Sequence, residues 1–217
     1  MQKAVQRFLF RFTKNQPRRK SKAQSLVEVA IAFPILIMLF GGVVEFGFIV
    51  NYYLSLLDAT RDSARYWSQD DPFLADGVTD DDDFYYQAAY DVEKYLDPTI
   101  LNPSFKGRKI LLDPAKDDVI VSVYGAEDSN VLLWRDAGPY HWFPTHGNAT
   151  GNYPSIFTVE SIENSRVTSA PNAGILVVEV HYNYHHVLNL PWMTAFIPNP
   201  LHLQAYSIMP IRSGEPE

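Results

Sequence analysis

Val29 to Val50 is a run of 22 residues with a single charge, Glu45, and a single proline, Pro34. As a helix it is about 33 Å long at ~1.5 Å per residue, against a bilayer hydrocarbon core of about 30 Å. A chain of 217 residues has room for one such membrane segment and one modest globular domain. Cleaved secretory signals carry an apolar region of only about 7–15 residues followed by a small-x-small site. Here the run is longer and Asn51-Tyr-Tyr-Leu54 follows it. The segment therefore reads as a single membrane span at 29–50, with Tyr52 and Tyr53 suited to an interfacial belt.

Charge fixes the expected topology. All eight basic residues of the first 27 (Lys3, Arg7, Arg11, Lys14, Arg18, Arg19, Lys20, Lys22) precede the span without one acid. The other 190 residues hold ten Lys and Arg against all 25 acids, a net of −15 against +8. Basic flanks stay cytoplasmic, so the N-terminus is expected in the cytoplasm and the body on the far side of the cytoplasmic (inner) membrane. A basic arm beside a membrane segment faces anionic lipid, and the acidic body would repel a phosphate backbone, so no nucleic-acid partner is expected. The leader itself, with Phe8, Phe10 and Phe12 among Arg7 and Arg11, suits a short basic amphipathic helix on the membrane surface. The chain has no cysteine, which excludes disulfides, thiolate catalysis and cysteine metal sites.

Glu28 and Glu45 bracket 16 uncharged residues. Two readings are open for each. Either acid snorkels to its headgroup level, or it finds a partner, because an unpaired charge in hydrocarbon is costly. Gly41, Gly42 and Gly47 offer close approach to another helix, or are merely tolerated. Beyond the span, Leu54, Leu57, Thr60 with Arg61, and Ala64 recur at helical spacing, with no Gly or Pro until Pro72. One helix is expected from Ser25 to about Trp67, roughly 65 Å long, kinked locally at Pro34.

These residues carry a resemblance. Gln24-Ser-Leu-Val-Glu28, the early Pro34, Glu45-Phe-Gly47 and Ala59-Thr-Arg61-Asp-Ser-Ala64-Arg65-Tyr66 follow in order. Together, over Ala23 to Gln69, they resemble the TadE-like family, the pilin-like (pseudopilin) proteins of tight-adherence pilus systems. The resemblance implies cleavage between Ala23 and Gln24 by a membrane-embedded prepilin peptidase; the family more often has Gly where Ala23 stands. It implies other pilin-like subunits and pilus platform proteins as partners. It also implies that Glu28 pairs with the freed α-amine of a neighbouring subunit. Glu45 is a second candidate for charge pairing between subunits, and Gly41, Gly42 and Gly47 for helix packing.

The body reads as α+β: the long helix on a small antiparallel sheet, with one extra helix. Three parts are expected: a leader at 1–23, a long helix at 24–69, and an extracytoplasmic domain at 70–217. Residues 70–83 form an acidic loop; its spacing is not that of an EF-hand, so a solvated loop competes with a calcium site. Asp83 caps a helix from Phe84 to Leu96, which Asp97-Pro98 ends. A strand runs from Asp118 to Tyr124, bounded by Gly125; the strongest spans Gly174 to Tyr184; a last one spans Leu201 to Ile208. Residues 126–172, rich in Gly, Pro and aromatics, read as short strands and loops. The loop at Leu190-Pro-Trp-Met193 is placed against the membrane surface or a partner. Asn148-Ala-Thr150 matches a glycosylation acceptor.

No catalytic constellation emerges. In a strand, His181 and His185 lie about 13 Å apart at ~3.3 Å per residue, too far for one metal. Serines occupy no nucleophile elbow and no phosphate loop appears. The expected function is a membrane-anchored pseudopilin-like structural component of pilus assembly or secretion machinery, without enzyme activity, cofactor or small-molecule substrate. The rival readings are an uncleaved, singly anchored binding domain with a ligand at 126–172, and a membrane enzyme.

Overall fold

The computed structural model describes residues 22–74, 77, 79–127, 130–143, 146–147, 150–165 and 173–211. Residues 1–21 of the basic leader and Asn148 lie outside these residues. The chain divides into two compact units, residues 1–44 and 45–217.

Helix α1 spans Lys22–Trp67 and runs through Pro34. From Glu45 onward it belongs to the folded unit. Its inward face there is Leu56, Ala59, Thr60, Ser63 and Ala64, all buried at helical spacing. The small side chains let helix α2, Asp82–Leu96, approach closely through Ala88 and Ala89. The Ser63 hydroxyl donates to the Ala88 carbonyl at 2.7 Å and the Trp67 indole to Asp91 at 2.7 Å. Asp81, not Asp83, caps α2: its carboxylate accepts from the Asp83 N–H at 3.0 Å. The helix starts two residues earlier than expected because Asp82 and Asp83 favour its positive N-terminal end.

The sheet comprises β1 (Asp118–Glu127), β2 (Asn130–Leu133), β3 (Tyr140–His141), β4 (Ala173–Tyr184) and β5 (Leu201–Ile211). The order is β2-β1-β4-β5, with β3 also on β1, and every pairing is antiparallel. Val119, Val121 and Val123 of β1, with Leu176, Val178 and Val180 of β4, face the core under α1 and α2. Tyr124, Val177 and Val131 face a second, smaller core with Phe157 and Ile162. Both faces of β1 and β4 are thus covered, and their apolar runs are nearly continuous. The expected α+β architecture is what the chain adopts.

Three local expectations are corrected. Gly125 does not end β1, which continues to Glu127. A Cβ there would collide with the Trp134 indole, so this glycine admits a neighbour and breaks nothing. A helix, α3, occupies Val159–Ser165 where only strands and loops were expected. Thr158 and Ser161 cap it reciprocally, each side-chain oxygen accepting the other's N–H at 3.1 and 2.8 Å. The last strand runs through Pro210 to Ile211, not ending at Ile208. Among the described residues β5 pairs only with β4, so a proline on its outer edge removes no ladder bond.

Candidate functional site

In the first unit, the helix exposes its apolar side chains on every face. Leu26 is 70 % exposed and Phe40 69 %, and the large apolar residues between them are exposed as well. So continuous an apolar surface far exceeds what a water-soluble monomer presents. Among the described residues, α1 is the one helix long and apolar enough to cross a membrane. Glu28 is exposed near its start, with the Gln24 side-chain amide donating to its carboxylate at 3.2 Å. Gln24 and Glu28 share one helical face, one turn apart.

The three glycines separate. Gly41 is buried and Gly42 half-buried, whereas Gly47 is exposed. A Cβ built on Gly47 meets nothing within 4 Å. Phe46, Val50, Tyr53 and Leu54 lie exposed on the same outward side of the helix. Among the described residues of the folded unit, this stripe is an apolar helix face left uncovered.

Glu45 is fully buried, and its partners lie within its own chain. The Tyr184 hydroxyl donates to Oε1 at 2.6 Å, the Val187 N–H to Oε1 at 2.8 Å, and the Leu188 N–H to Oε2 at 2.8 Å. Three donors satisfy a carboxylate that would otherwise be very costly to bury. Burial, and then the Glu45 carboxylate beside it, push the Tyr184 phenol well above its ordinary range. Tyr52, two turns along α1, stacks on Tyr182 and meets Tyr184 edge-on. Sequence reasoning marked Glu45 as anomalous but could not find partners 139 to 143 residues away.

The remaining candidate groups serve structure. His181 and His202 lie with ring nitrogens 3.1 Å apart, and Tyr153 stacks on both. Burial, then the neighbouring His181, hold His202 below the usual imidazole range. His185 lies beyond the end of β4. Among the described residues no group of three His, Asp or Glu side chains could hold a metal ion. In the acidic loop, Asp71 and Asp81 accept backbone N–H bonds and Asp82 pairs with buried Arg135 at 3.1 Å. Buried Asp118 accepts from His141 at 2.9 Å and from the Phe143 and Asn152 N–H groups at 3.0 Å, tying down the segment after β3. A groove between α1 and α2 is lined by Ala59, Asp62, Ser63, Tyr66 and Lys94. Its serine is committed to Ala88 and its lysine is paired with Asp91.

The helix is what comparison recognises. Residues 23–65 match the family described as TadE-like protein. This segment is similar to that family. The match starts at Ala23 and runs through Glu28, Gly47 and Arg65, whereas the sheet and both shorter helices lie outside it. No curated protein and no solved structure matches the chain. A TadE-like segment on a single apolar helix supports a pilus-related protein with one membrane anchor.

Proposed function

We propose that the chain is a pilin-like structural subunit of a tight-adherence pilus assembly system, held by one span in the inner membrane. Its work is packing, not catalysis. The observation that carries this reading is that the TadE-like segment coincides with the exposed apolar helix. A prepilin peptidase cuts between Ala23 and Gln24. That cut removes all eight basic residues of the leader and creates an α-amine at Gln24. Glu28 then sits one turn inside a chain that begins with a positive charge. In a stack of parallel helices the amine of one subunit neutralises Glu28 of the next, which offsets the cost of placing both near hydrocarbon. Glu45 already has three donors of its own, so it holds the subunit together while Glu28 joins subunits. The +8 flank before cleavage keeps the N-terminus cytoplasmic and the folded unit outside.

The test is Glu28→Ala expressed in place of the native chain in piliated cells. The expected result is loss of assembled pili with membrane levels of the subunit unchanged. Normal piliation by the variant would remove the pairing from the account.

A further inference from the structure

The folded unit carries a second apolar element. Val187 to Leu201 is a stretch of 15 residues without one Asp, Glu, Lys, Arg or His. It makes up most of the loop between β4 and β5, which His185 and His186 open, and ends on the first residue of β5. Val187 and Leu188 are exposed, and Phe196 is 80 % exposed. Met193 is buried and Leu190, Trp192 and Ile197 are half-buried, but the apolar side chains left exposed need a partner.

Its position says which partner. As β4 ends, Tyr182 and Tyr184 lie against Tyr52 of α1, and Tyr184, Val187 and Leu188 then bond Glu45. Seven residues of helix separate Tyr52 from Glu45, about 10 Å at ~1.5 Å per residue. The chain therefore travels along α1 toward its N-terminal end, and the loop begins level with a residue inside the apolar run. A second observation is independent of the first. The exposed segment Lys106-Gly-Arg-Lys109 holds three of the ten basic residues that follow the span. Arg108 lies 4.9 Å from the centre of the Tyr52 ring and donates to the Ser55 hydroxyl at 2.6 Å. The Arg108 cation thus sits roughly 10–15 Å further out along the helix than Glu45. Apolar side chains at one level and cations a headgroup's thickness beyond match the layering of an anionic bilayer surface.

We propose that the 187–201 loop inserts into the headgroup–acyl boundary of the leaflet nearest the folded unit, with Lys106, Arg108 and Lys109 on the lipid phosphates above it. The bilayer then holds the subunit at two places, the span and this loop. The inference rests on α1 being a membrane span, and the test separates the two. The chain has no cysteine, so single cysteines can be introduced and labelled with the environment-sensitive dye NBD. Full-length protein carrying Phe196→Cys, Val187→Cys, Leu36→Cys or Leu74→Cys is reconstituted into phosphatidylcholine–phosphatidylglycerol vesicles with or without doxyl-labelled phosphatidylcholine. Leu36 is exposed on the span, and Leu74 is an exposed residue past the far end of α1. The expected result is a blue-shifted emission quenched at least twofold by doxyl lipid at positions 36, 187 and 196, with position 74 unquenched. Quenching at 36 alone overturns the loop insertion and leaves the span standing. Absence of quenching at 36 overturns both. A blue shift at 187 and 196 that grows with protein density and ignores doxyl lipid assigns the loop to another subunit, and also overturns the proposal.

Discussion

At the scale of single residues, Glu45 carries the most information. A carboxylate in an apolar run is visible in sequence as a cost, and a cost of that size calls for a partner. The sequence cannot say where the partner is, because a helix residue and a loop more than 130 positions later share no local pattern. Replacing Glu45 by alanine leaves the Tyr184 hydroxyl and two backbone N–H groups without an acceptor. The expected loss is about 2–4 kcal/mol, the range for removing the shared acceptor of several buried donors. Thermal unfolding of the detergent-solubilised chain measures it, and a midpoint equal to the native one would show that the three bonds to Glu45 contribute nothing. Gly125 teaches the complementary lesson. Glycine in a strand pattern reads as an end, yet here it makes room for Trp134, and only the tertiary neighbour distinguishes the two.

At the scale of elements, α1 was legible almost to the residue because its signals are long and redundant: an apolar run, then a helical stripe, with no breaker before Pro72. Strands β1 and β4 were legible for the same reason, as runs of β-branched residues buried on both faces. Helix α3 was not, since seven residues between loops carry too short a period to register. The glycines proposed for helix packing divide in the same way. Gly41 is buried in its own chain, whereas Gly47 faces outward with open space around it. Gly47→Leu is therefore tolerated within the subunit and gains about 0.5–1 kcal/mol of helix propensity. The expected outcome is a folded unit at least as stable by thermal melt, and pilus assembly at least tenfold below native by shear-fraction immunoblot. Native assembly levels would place Gly47 away from every subunit contact.

At the scale of the molecule, charge and covalent processing are one problem. On the proposed reading the +8 leader orients the chain in the bilayer, but a cationic head of that size opposes side-by-side packing of helix ends. The proposed cleavage would convert an insertion signal into a helix that starts one turn before Glu28. With no disulfide, the folded unit depends on its two cores and on polar ties such as buried Asp118 with His141, and exposed Asp82 with buried Arg135. The measurement that tests this account most directly is the intact mass of the chain extracted from membranes of piliated cells. The account predicts a chain beginning at Gln24, with the full-length form accumulating when the prepilin peptidase is deleted. A chain that keeps residues 1–23 in cells with a working peptidase would contradict it.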